Sequence, residues 1–216
     1  MFGIRYLKAD PTRYVIHYHN GRLRHAGAGL AFFYYRPSSS IAAVPLTSAD
    51  VPFIFNEFSA DFQPLTVQGQ LTYRVQDPER LAGLLDYTIR DRMDEYVSDD
   101  PQNLAQRLIQ VVQVLTRARL QELPLRAAIH ASDEVSAGVL GQLQASDGFK
   151  TLGVAVLQLA IQAIRPTPEV ARALEAETRE GLLRQADQAT YDRRNAAVEQ
   201  ERRIRENELS TEIAVE

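Results

Sequence analysis

DFQPLTVQGQLTYRVQDP, residues 61–78, alternates apolar and polar side chains with a period of two. Leu65, Val67, Gly69, Leu71, Tyr73 and Val75 fall on one face, and Thr66, Gln68, Gln70, Thr72 and Arg74 on the other. That is the pattern of a strand buried on one side. Gly69 lies on the inward face, where a residue without a side chain marks a bulge or the close approach of another backbone. The strand stops at Asp77-Pro78. The Asp carboxylate can accept an orphan amide bond, and Pro has no amide to lose at the first helical position, so a helix is expected to start there.

Toward the N-terminus, residues 14–19 (YVIHYH) are β-branched and aromatic and run into Asn20-Gly21, the dipeptide favoured in tight hairpin turns, so two strands meet there. Residues 30–35 are a further strand, stopped by Arg36-Pro37 and three serines. Residues 41–46 and 51–58 read as short strands. The N-terminal third is expected to be mainly antiparallel sheet.

Downstream the period changes. Leu81, Leu84 and Leu85 recur at helical spacing; Leu104, Leu108, Val111, Val112 and Leu115 do so after Asp100-Pro101. Pro124 interrupts, and residues 127–143 offer a third helix with Val135, Val139 and Leu143 on one side. Gly153 then opens GVAVLQLAIQAI, in which Leu157, Leu159 and Ile161 alternate with Gln158, Ala160 and Gln162, a strand returning to the sheet. Strands, packed helices and a returning strand predict an α+β domain over residues 1–166. Pro166 closes it, and Pro168 is a good helix start.

Beyond Pro168 there is no proline, and Gly181 is the only glycine, so residues 167–216 are expected to form one long Ala/Glu/Arg-rich helix with coiled-coil-like character. Some 48 residues at 1.5 Å each would reach roughly 70 Å, and so thin an apolar stripe calls for lateral neighbours. Leu183, Ala197 and Ile204 share a seven-residue spacing with Ala176 and Thr190 and are the candidate oligomerisation residues. The end, ELSTEIAVE, lacks a Gly or Asn cap and places Glu212 and Glu216 at the negative end of the dipole. The helix is therefore expected to run on in a longer protein, or to be continued by neighbouring helices.

Composition excludes several classes. A formal charge of −4 and the lack of a Lys/Arg-rich run argue against a nucleic-acid binder. Without cysteine there are no disulfides, thiolate metal sites, Cys nucleophiles or S-palmitoylation. The start, MFGIRYLKAD, has no signal-peptide core, and no run approaches the roughly 18 apolar residues that span a bilayer. The expected location is the cytoplasm, with peripheral contact with the cytoplasmic membrane.

Taken in order, the Asp-bounded strand with Gly69, Tyr73-Arg74-Val75 and Asp77-Pro78, the glycines of the first hairpin, and GVAVLQLAIQAIRPTPEVARA from Gly153 through Pro166 and Pro168 resemble the SPFH or band 7 superfamily of stomatin-like, prohibitin-like and flotillin-like proteins. The resemblance covers nearly the whole chain. It implies a non-enzymatic scaffold that assembles laterally into large homo-oligomeric rings or cages, organising membrane microdomains or enclosing partners such as a membrane protease or another membrane-protein client. A regulatory or adaptor subunit of an ATP-dependent protease is the second reading, and a hydrolase the third. The chain departs from the family in lacking an N-terminal membrane segment and acylatable cysteines.

A membrane contact would have to come from residues 26–35, through Leu30, Phe32 and Phe33; the competing reading makes Phe32 with Tyr34, or Phe33 with Tyr35, the buried face of a strand. His17 and His19 lie two apart on a strand, as a metal pair requires, but no third ligand is evident and a solvated strand face is favoured. The acidic run 91–100, DRMDEYVSDD, lacks the spacing of a calcium loop. No phosphate-loop, dinucleotide, zinc-protease or serine-hydrolase motif is present. No catalytic residue, cofactor or metal is expected.

Overall fold

Residues 3–90 and 95–215 are described by the computed structural model, with side chains left out at Leu209 and residues 211–215. The first part of the acidic run, Asp91 to Asp94, and the features at Glu212, Ile213, Val215 and Glu216 that bear on the helix end lie outside what is described. The chain divides into two units, Met1–Pro166 and Thr167–Glu216.

The first unit is α+β, built on three antiparallel sheets. Strands β1 (Ile4–Lys8) and β4 (Ala31–Tyr35) pair as one; β2 (Arg13–His19) lies between β3 (Arg22–Ala28) and β5 (Ser39–Pro45) in the second; β7 (Pro64–Val75) lies between β6 (Ala49–Phe58) and β8 (Val154–Pro166) in the third. The β2–β3 hairpin turns at Asn20 and Gly21, both at positive φ, as Asn-Gly predicts. Its second strand follows the turn immediately, whereas residues 31–35 pair with β1 instead.

On β7 the alternation holds to the residue. Leu65, Val67, Gly69, Leu71, Tyr73 and Val75 are buried, and no intervening side chain is. β8 is less regular. Its register against β7 shifts between Gln68 and Gly69 and again between Thr72 and Tyr73, so Gln162 and Leu157 face no partner. Leu157, expected inward with Leu159 and Ile161, is consequently exposed, because each extra residue flips the phase of the strand.

Helices cover the inner face of this third sheet. α1 (Pro78–Leu84) is followed by α2 (Asp100–Leu120), whose Leu104, Leu108, Val112, Thr116 and Leu120 form a buried stripe at spacing four. The single helix expected over residues 127–143 is two: α3 (Leu125–His130) and α4 (Ser132–Ala145) meet at Ala131, which leaves helical geometry at φ −92°, ψ 16°. Acidic Asp133 and Glu134 then suit the first turn of α4. α5 (Asp147–Leu152) is a further short helix, started by the Ser146 side chain and ended by Gly153 in the left-handed region. Five helices, not three, therefore separate β7 from β8 among the described residues.

One ion pair ties α2 to β6. The Glu57 carboxylate, 3% exposed, accepts from Arg117 Nε at 2.6 Å and Nη2 at 3.2 Å, and from Gln113 Nε2 at 2.7 Å. The buried acid thus has both oxygens satisfied.

The second unit is α6 (Pro168–Val215), 48 residues without a break. Its described surface is laced by ion pairs one turn apart, Glu180 with Arg184, Glu199 with Arg203, Glu201 with Arg205 and Arg202 with Glu206.

Candidate functional site

Val75, Asp77, Pro78 and Gly153 meet at one junction. Asp77 is the N-cap of α1: its carboxylate accepts the Arg80 amide at 3.0 Å, and Pro78 sits at the start of the helix. From the far end of the domain, the carbonyl of Gly153 accepts the amides of both Gln76 at 2.8 Å and Asp77 at 3.0 Å. Gly153 has φ +75°, and a Cβ placed on it would lie 2.6 Å from the Asp77 carbonyl oxygen. Val75 pairs with Val154 directly beside the junction. The end of β7 and the start of β8 are therefore joined through main-chain bonds, and the Asp77 side chain starts α1 from the same point.

Gly69 is a second close contact. A Cβ there would approach both the Ala160 carbonyl and the Phe53 ring to 2.5 Å. Tyr73, on the same buried face, has its hydroxyl pKa raised by burial. Pro166 pairs with Leu65 at the last rung of β8. A cleft of about 480 Å³ opens beside the Asp77–Gly153 junction. In it Tyr14 donates to Glu79 Oε1 at 2.6 Å, which raises the Tyr14 pKa, and Arg80 Nη1 reaches the Lys150 carbonyl at 3.4 Å.

The histidines depart from expectation. His17 is not on a solvated face but 2% exposed, because Phe32 from β4 covers it. Hairpin register brings His25 opposite it, with the two Nδ1 atoms 3.2 Å apart, while His17 Nε2 lies 3.0 Å from Ser39 Oγ. Phe32 stacks on both rings with centroids at 4.8 Å. Burial lowers the His17 pKa, and His25, His19 and Arg24 lower it further by repulsion. His19 instead contacts Ser38 Oγ through Nδ1 at 3.1 Å. Among the described residues no three His, Cys, Asp or Glu side chains are grouped to hold a metal. The spacing in sequence showed His17 and His19; the pair that meets is His17 and His25, a product of the Asn20-Gly21 hairpin.

The residues considered for membrane contact do not share a face. Phe32 and Tyr34 turn inward and pack on Leu7, Ala9, Val15 and Ile41, Leu30 is half-buried, and only Phe33 points out. Among the described residues no helix is long and apolar enough to cross a membrane.

On α6 every described side chain between residues 175 and 208 is exposed, including Leu183, Ala197 and Ile204. No curated protein matches the chain. The family model of the SPFH domain / Band 7 family, however, matches residues 7–203, taking in the β7–α1 junction, β8 and most of α6. With a match over so much of its length, the chain belongs to the SPFH domain / Band 7 family.

Proposed function

We propose that this chain is a non-enzymatic subunit of a homo-oligomeric scaffold, assembled laterally through α6 into a ring or cage that encloses or organises partner proteins. The observation that carries the reading is α6 itself. A helix of 48 residues presents Leu182, Leu183, Tyr191, Val198 and Ile204 to solvent, each at least half exposed. Single helices gain most of their stability from packing an apolar face, and α6 has none packed between residues 175 and 208 within the described chain. Leu183, Ala197 and Ile204, on one side at seven-residue spacing, are the proposed contact line. Family membership supports the same reading, since assembly without catalysis is what the resemblance implies.

Light scattering on the full chain tests it. A mass many times the 24.3 kDa of one chain is expected. Leu183→Glu with Ile204→Glu should reduce that mass while leaving the first unit's melting unchanged. A full chain that runs as a monomer, and grows only when an ATP-dependent protease is added, would favour the adaptor reading instead.

A further inference from the structure

The Nδ1 atoms of His17 and His25 are 3.2 Å apart, while the ring centroids are 5.5 Å apart at an interplanar angle of 4°. Centroids so distant with nitrogens so close leave one arrangement: two rings in nearly one plane, meeting nitrogen to nitrogen. Each neutral imidazole carries one N–H, so one ring donates and the other accepts. The far side of His17 fits either choice, because Nε2 lies 3.0 Å from Ser39 Oγ and a hydroxyl both donates and accepts. One added proton still leaves a donor facing an acceptor. A second makes both rings imidazolium and sets N–H against N–H.

The pair lies beneath a separate piece of sheet. Phe32 covers both rings with its centroid 4.8 Å from each, at interplanar angles of 19° and 16°. Phe32 belongs to β4, and the β1–β4 sheet shares no ladder with β2, β3 and β5. It rests on them through Leu7, Phe32 and Tyr34, which pack with Val15 and Ile41. A two-stranded sheet is marginally stable by itself, so what keeps Phe32 on the histidines keeps β1 and β4 ordered. The groups acting on the His17 ring are His19 from β2 and His25 and Arg24 from β3. From β5 comes the Ser39 hydroxyl, and from β4 the Phe32 ring and the Tyr34 ring, 6.1 Å away and turned by 64°. None of these is a carboxylate, so none of them offsets a charge placed on His17.

We propose that the His17–His25 pair is an acid-operated latch: with one proton between the two Nδ1 atoms it holds the β1–β4 sheet down through Phe32, and with both rings charged it releases that sheet from β2, β3 and β5. Burial and the neighbouring bases lower the His17 pKa from 6.5, which places the latched state above about pH 6.5 and its loss at lower pH, as pH falls through the folded value. The latch lies within the first unit and makes no use of α6, so it is separate from lateral assembly.

Hydrogen exchange read by mass spectrometry on the full chain, corrected for the intrinsic rate at each pH, provides the test. Between about pH 7.5 and about pH 5, protection of the amides in β1 and β4 should fall by about tenfold or more while that of β7 stays unchanged. His17→Gln removes the titrating ring, and His25→Gln puts an amide oxygen where a charged His17 can donate to it; each should keep β1 and β4 protected at the lower pH. Protection in β1 and β4 that does not change with pH overturns the proposal. So does an equal fall in β7, which would be acid unfolding of the whole unit; this comparison is made within the unaltered chain and needs no variant. A His25→Gln chain that still loses β1 and β4 protection at the lower pH overturns it as well, because burial of His17 alone, without the pair, would then account for the change.

Discussion

The amide of Asp77 donates to the carbonyl of Gly153 at 3.0 Å, joining residues 76 positions apart in the sequence through main-chain atoms alone. Since a Cβ on Gly153 would meet the Asp77 carbonyl oxygen at 2.6 Å, and φ there is +75°, the position combines a steric and a conformational demand for glycine. Gly153→Ala should destabilise the first unit by about 2 kcal/mol or more in urea unfolding. Gly141→Ala, in open space on α4, should instead be neutral or stabilising by about 1 kcal/mol. Similar effects at the two glycines would refute the close contact as the cause.

The faces of β7 give a paired prediction. Val67 is fully buried and Gln68 exposed, so Val67→Asp places an unpaired carboxylate in the core and should cost several kcal/mol, roughly 3 or more, while Gln68→Asp should cost under about 0.5 kcal/mol. Thermal melts of the two variants decide it: equal losses would reverse the assigned face.

These two positions also show what was legible before the fold was known. β7 was readable because one side packs on helices and the other does not, so burial and period coincide. The Asp77 cap was readable because capping is local chemistry. β1 was not, since IRYLK exposes Ile4 and Tyr6 and buries only Leu7, leaving no polar side to alternate with. The bulges in β8 were hidden for another reason: the residue that loses its partner is chosen by register against β7, and nothing in Leu157 or Gln162 announces it. The burial of His17 depends on Phe32, which a separate strand brings over it. Nothing local in YVIHYH encodes that cover.

His17 gives the pH prediction. Its folded pKa is lowered from 6.5, principally by burial, so the unfolded chain takes up a proton at a higher pH than the folded one does. The stabilising contribution of neutral His17 is complete above about pH 6.5 and is lost as pH falls through the folded value. His25, His19 and Arg24 face the same ring and add repulsion to any proton placed on it. The melting temperature should fall more steeply below pH 6.5 for the native chain than for His17→Gln. Parallel pH profiles would show that His17 is not the titrating group.

The Glu57–Arg117 pair should respond unequally to its two truncations. Arg117 is half in solvent, so Glu57→Gln returns a guanidinium to water and should cost about 1 kcal/mol. Arg117→Ala strands a 3% exposed carboxylate with Gln113 as its remaining donor and should cost about 2 kcal/mol or more, with the penalty reduced in the Glu57→Gln background. Additive losses in a double-mutant cycle would mean that the two side chains act independently.

The last prediction separates folding from assembly. The buried apolar residues of the described chain all lie between Leu7 and Ile164, so the first unit holds a core of its own. Cutting the chain after Pro166 should therefore leave a cooperatively melting α+β unit. The same cut removes Leu183, Ala197 and Ile204 and with them the proposed lateral contact, so the assembly mass should drop sharply toward that of one unit. Circular dichroism and light scattering on the same sample read the two halves of the argument independently. A truncated chain that fails to fold would refute the boundary at Pro166, and one that folds but keeps the full assembly mass would move the contact from α6 to the sheets of the first unit, where the open edges of β3 and β6 would be the next surfaces to test.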